Sequence, residues 1–117
     1  MAHAGPEKRK HARICGRFIV SYRILEEDDK IDISQTKNLG LGGMLLTTNR
    51  KFDTGTNLAI ELRLPFDPNP IMLSGSVLES KEITKNLIYD TRIVFTSIDE
   101  KHKNIIRETV SHYLKKG

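Results

Sequence analysis

Between residues 14 and 97 the apolar side chains recur at every second position or in short apolar runs, and no stretch shows the three-to-four residue spacing of a surface helix. The clearest case is 57–64, where Leu58, Ile60, Leu62 and Leu64 alternate with Asn57, Ala59, Glu61 and Arg63. Such a segment buries one face and wets the other. In 14–25, Phe18, Val20, Tyr22 and Ile24 share one face, with Arg17, Ser21 and Arg23 on the other. Further strands are predicted over 31–39, 43–48, 71–80 and 87–97, separated by the acidic run 26–30, the loop 49–56, the proline-rich connection 65–70 and the polar stretch 81–86. Parallel pairing needs crossover helices, and none is available here. Six strands at this spacing therefore imply an antiparallel barrel or sandwich.

A helix is predicted only at the end, over 99–115. There Ile106, Val110, Tyr113 and Leu114 form one apolar stripe, with Ile105 beside them, and Ser97-Ile98-Asp99-Glu100 has the order of a capping box. The fold class is thus all-β with a C-terminal helix that plugs or flanks the barrel. At 117 residues the chain has the length of one domain. Residues 1–6, with Gly5-Pro6, are expected to be a flexible lead-in without the apolar stretch of a secretory signal, and 7–117 a single domain. No apolar run is long enough to span a bilayer, and the single cysteine, Cys15, cannot form an internal disulfide; both fit a reducing cytoplasm.

Charge is distributed unevenly. Residues 1–25 carry Lys8, Arg9, Lys10, Arg13, Arg17 and Arg23 against Glu7, a local balance of +5 in a chain whose formal net charge is +4. The basic character therefore sits at one end instead of covering a surface, which suits a small anionic ligand better than a general polyanion. Arg9 and Arg13, four residues apart, can present two planar forks, each able to grip a guanine edge or a phosphate bidentately. A solvated basic tail is the plain alternative for such a run. The second unusual segment is Asn38-Leu39-Gly40-Leu41-Gly42-Gly43, whose three glycines permit positive φ and close backbone approach, or simply make a tight hairpin.

Together these segments resemble the PilZ domain family, bacterial receptors for the second messenger cyclic di-GMP. The family's RxxxR motif is matched by Arg9-Lys10-His11-Ala12-Arg13, and its D/N-x-S-x-x-G motif by Asn38 to Gly43, with Gly40 standing where the family usually has serine. The likeness covers roughly residues 7–115 and implies a six-stranded antiparallel PilZ-type β-barrel spanning 14–97, followed by the helix. It further implies that the loop 7–13 folds across the ligand as a lid, with Arg9 and Arg13 on guanine edges and phosphates. Asn38 would accept from a guanine N–H, and Gly42 and Gly43 would keep the floor open. Lys8, immediately before RxxxR, implies two stacked ligand molecules per chain. The resulting expectation is a non-catalytic receptor, without a cofactor, that orders its N-terminus over cyclic di-GMP and changes its contacts with an effector protein.

Other chemistries fit less well. His102 and His112 lie about 15 Å apart along the helix, too far to share a metal. Cys15 lacks a histidine and acid to activate it and is expected to be a packed small side chain. Leu39 to Gly43 lacks the Lys-Ser/Thr ending of a phosphate-hydrolysing P-loop. Two alternatives remain: a PilZ-like adaptor that no longer binds the nucleotide, for which Gly40 is the reason, and a small basic nucleic-acid-binding barrel, suggested by a pI near 9.3. Dispersed, core-facing aromatics argue against the latter, since base stacking needs exposed rings.

Overall fold

Val20, Tyr22, Leu58, Ile60 and Leu62, placed on inward faces by the alternation, are all buried, and Leu39, Met44, Leu46, Ile71, Val77 and Ile93 complete the same core. The computed structural model describes residues 13–27, 30–65 and 67–116. Their elements are β1 (Arg13–Cys15), β2 (Ile19–Ile24), β3 (Asp32–Gly40), β4 (Gly43–Thr48), β5 (Asn57–Arg63), β6 (Ile71–Thr84), β7 (Ile88–Ser97) and α1 (Glu100–Lys116). Antiparallel ladders run β3–β2–β5–β6–β7–β4, and β4 pairs back onto β3, closing a six-stranded barrel. Among the described residues no helix is long and apolar enough to cross a membrane.

Three predictions are corrected in detail. The expected first strand, 14–25, is two strands: β2 pairs with the first half of β3, while β1 pairs with the second half of β3, Arg13 opposite Gly40. The break at Gly16-Arg17-Phe18 is held by Thr36, which is fully buried. Its hydroxyl donates to the Gly16 carbonyl at 2.6 Å and accepts from the Phe18 N–H at 3.0 Å. Thr36→Val keeps the volume and orphans both backbone groups. The expected loss is about 2–3 kcal/mol, since an unsatisfied buried group costs roughly 1–3 kcal/mol. Urea unfolding should show a lower midpoint with an unchanged slope, and an unchanged midpoint would exclude the staple.

The stretch 81–86, expected as a loop, is mostly strand: β6 runs on to Thr84 and turns through Asn86 at φ 59° before β7. Its mostly polar, exposed side chains concealed the ladder, which is a matter of backbone pairing rather than burial. Glu82 accepts from the Asn86 N–H at 2.9 Å and fixes that turn. At the helix, Asp99 rather than Ser97 is the cap, its carboxylate accepting from the His102 N–H at 2.9 Å. The buried stripe of α1 is Ile106, Thr109 and Val110, with Ile105 and Tyr113 partly buried, and it packs against β1 and β3. Leu114 is exposed. Thr109 can sit in the stripe because its hydroxyl donates to the Ile105 carbonyl at 2.9 Å.

Candidate functional site

Arg13, the last residue of the arginine segment, meets the second motif in one ladder. In β1 and β3, Arg13 pairs with Gly40, Ile14 with Leu39, and Cys15 with Asn38. Directly opposed residues share a face, and successive pairs alternate. Ile14 and Leu39 are in the core, so the pair Cys15–Asn38 occupies the outward face, with Cys15 exposed and Asn38 half-buried, while Gly40, opposite Arg13, is buried. Cys15 is accordingly exposed, not packed as expected, because its neighbour Ile14 takes the inward position in a three-residue strand. The outer row continues from Asn38 to Leu45 in β4 and Arg92 in β7.

Arg92 is a residue that the sequence reading missed. It is exposed, makes no ion pair among the described residues, and stands two strands from Asn38. Lys37, nearer in sequence, is already engaged with Asp90 at 2.8 Å. The only sequence signal for Arg92 is an outward cation between inward Thr91 and Ile93; its link to Asn38 depends on β4 lying between β3 and β7.

Of the uses open to Gly40, Gly42 and Gly43, close approach between strands is seen and positive φ is not. Positive φ among the described residues is recorded at Asn86 and Gly55; Gly40 ends β3 and Gly43 starts β4, both extended, with Leu41-Gly42 as the bend between them. Gly43 is needed for space. A Cβ on it would lie 2.2 Å from the Ile93 carbonyl oxygen, where β4 and β7 approach closely. The bend is held from the far strand by the Phe95 N–H, which donates to the Gly42 carbonyl at 2.9 Å.

Lys8 and Arg9 lie outside the described residues, as does the lead-in 1–6; Arg13, Asn38, Gly40, Gly42 and Gly43 are neighbours along the β1–β3–β4 ladders and the bend between β3 and β4, with Gly40 and Gly43 buried and Asn38 and Gly42 half-buried. Tyr22, the one group among the described residues with a strongly displaced titration, is elsewhere: burial first, then Asp32, pushes its hydroxyl up to about 12, so it stays protonated at neutral pH. No group of three or more His, Cys, Asp or Glu side chains capable of holding a metal occurs among the described residues.

With this geometry in place, comparison with known proteins is decisive for the family. The PilZ domain profile matches residues 7–112, nearly the whole chain. The chain belongs to the PilZ domain family. Solved PilZ-type structures share the fold at low identity. The PilZ domain of YcgR from Escherichia coli, determined with c-di-GMP, superposes with a TM-score of 0.72 at 13% identity, covering 94% of each chain. The inhibitor of motility MotI/DgrA from Bacillus subtilis gives 0.78 at 14%, and the K. pneumonia MrkH–c-di-GMP complex 0.76 at 16%. The PilZ chain described here is covered to 92% and 95% in these matches but spans only 51% and 54% of those two proteins. No curated protein is significantly similar in sequence. The extra strand β1, which carries Arg13, lies beside the β3–β4 bend of this PilZ barrel.

Proposed function

We propose that this PilZ domain is a receptor for cyclic di-GMP that binds the nucleotide with Lys8, Arg9, Arg13, Asn38, Gly40, Gly42 and Gly43, and signals by altering its contacts with an effector protein. The observation that carries this reading is the β1–β3 register. It sets Arg13 against Gly40 and Cys15 against Asn38, so the strand leaving the arginine segment is hydrogen-bonded to the strand bearing the second motif. A ligand gripped by both would tie the N-terminal segment to the barrel, and ordering of a charged segment over a ligand creates a new surface. Arg92 adds a cation to the same row. Nothing in this scheme requires bond making, and the proposed role is that of a binding module without a cofactor. Calorimetric titration with cyclic di-GMP, with GTP as control, tests it directly.

The second reading, an adaptor that has lost the nucleotide, draws on Gly40 at the usual serine position. Gly40→Ser discriminates between the two. Because Gly40 is extended, a serine there escapes the strain of a positive φ. A restored hydroxyl contributes a hydrogen bond of about 0.5–1.5 kcal/mol, so cyclic di-GMP should bind roughly two- to tenfold tighter. Absence of binding in both wild type and the well-folded Gly40→Ser protein would leave the adaptor reading standing.

Stoichiometry is the finer part of the proposal. Lys8, a long cation next to Arg9, can reach the far face of an intercalated ligand pair, where four phosphates crowd together. Titration should saturate at two nucleotides per chain, and Lys8→Leu should lower that ratio to one. Saturation at one nucleotide in the unmodified protein would count against the pair.

A further inference from the structure

A hollow of about 390 Å³ opens where the C-terminal half of α1 meets the barrel. Its apolar lining includes Phe18, Ile19, Leu64 and Tyr113, and Arg17 and Arg63 stand in the same wall. Phe18 and Tyr113 meet edge to face with ring centroids 5.6 Å apart, which makes a stiff aromatic floor. Ile19 stays 41% exposed, although it occupies a strand position between two paired neighbours. The volume suits one large apolar side chain with its flanking backbone.

The charges around this floor have one sign in excess. Arg17 is exposed and makes no ion pair among the described residues. Arg63 contacts Glu61 at 2.9 Å through a single nitrogen, which leaves the other donors of its guanidinium for a second carboxylate. Apolar anchors surrounded by a charged rim are the usual anatomy of a small docking site, with the rim setting partner choice and the anchor the affinity.

We propose that this hollow docks an acidic segment of a partner protein, which inserts one aromatic or branched apolar side chain onto the Phe18–Tyr113 floor and places carboxylates on Arg17 and Arg63. This names the partner face of the receptor proposed above and rests on that reading for its role in signalling. Docking itself is independent of the nucleotide and can be measured without it. The hollow connects to the proposed ligand site through the chain, since Gly16, at its edge, directly follows β1.

The test uses a short fluorescein-labelled peptide with one phenylalanine between glutamates, and a matched peptide with lysines in place of the glutamates, followed by fluorescence anisotropy against the full chain without nucleotide. The glutamate peptide should bind at least roughly tenfold tighter than the lysine peptide, and more weakly as salt rises, as expected of solvent-exposed charge contacts. Arg17→Glu/Arg63→Glu should reverse that preference. Both positions are at the surface, so the variant should fold, which a thermal melt checks; Arg17→Gln alone should give a partial loss if the double variant melts early. Equal affinity for the two peptides, or a preference unchanged by these substitutions, overturns the docking site. A separate cyclic di-GMP titration on the same preparations reports on the receptor reading, so the two can fail independently.

Discussion

Replacing Arg9 and Arg13 together with alanine should reduce cyclic di-GMP affinity by at least about thirtyfold while leaving the melting temperature nearly unchanged. A bidentate arginine contact with a guanine edge contributes about 1–3 kcal/mol, and each factor of ten in affinity corresponds to about 1.4 kcal/mol. Removing both forks at once therefore weakens binding by about one and a half to four decades, provided that both arginines grip the same ligand. The fold should tolerate the change because the β1–β3 ladder uses the backbone of Arg13, and the inward anchor of that strand is Ile14, not an arginine. Arg92→Ala should have a smaller effect in the same calorimetric series, because Arg92 lies two strands from Asn38 and adds to the field rather than forming the lid. If the double alanine variant binds like the wild type, the arginine lid is wrong.

The second large effect concerns stability. Gly43→Ala should lower the melting temperature by roughly 12–25 °C, from a loss of about 3 kcal/mol spread over a domain of this size. The new Cβ would meet the Ile93 carbonyl oxygen at 2.2 Å, Ile93 C at 3.2 Å and Val94 Cα at 3.3 Å. All three are backbone atoms, so no rotamer change relieves the contact. Strands β4 and β7 would have to separate, loosening a ladder that runs from Gly43–Val94 to Thr48–Tyr89. Calorimetric melting checks this, and a shift of only a few degrees would show that the strands can part cheaply. The last glycine of the second motif is thus held by the sheet itself, whatever the ligand requires. A lost affinity in Gly43 variants should be interpreted only after their folding has been measured.

These two predictions differ in what makes them visible. The arginine pair is a local pattern: residue type and four-residue spacing display two planar forks before any coordinates exist. The clash at Gly43 involves Ile93, fifty positions along the chain, and has no signature in the residues around position 43. Arg92 is similar. Its alternation with Thr91 and Ile93 marks it as outward, yet nothing in the sequence relates it to Asn38 until β4 is seen pairing with both β3 and β7.

The sequence by itself determined the strand-rich class, the inward faces of 18–22 and 58–64, the single terminal helix and the residue types of both motifs. Each follows from side chains within about ten positions of one another, because strand and helix periodicity and turn chemistry are local properties. Only the tertiary structure decided the break between β1 and β2, which depends on Thr36 reaching back twenty residues to Gly16, and the extension of β6 through exposed residues to Thr84. It also decided that Asp99 caps the helix and that Arg13 stands opposite Gly40. These are outcomes of register, backbone pairing and close approach between distant segments. A one-residue slip would exchange the two faces of a strand without altering its sequence, so the burial of the whole barrel selects the register, and the register in turn sets Arg13 beside the second motif.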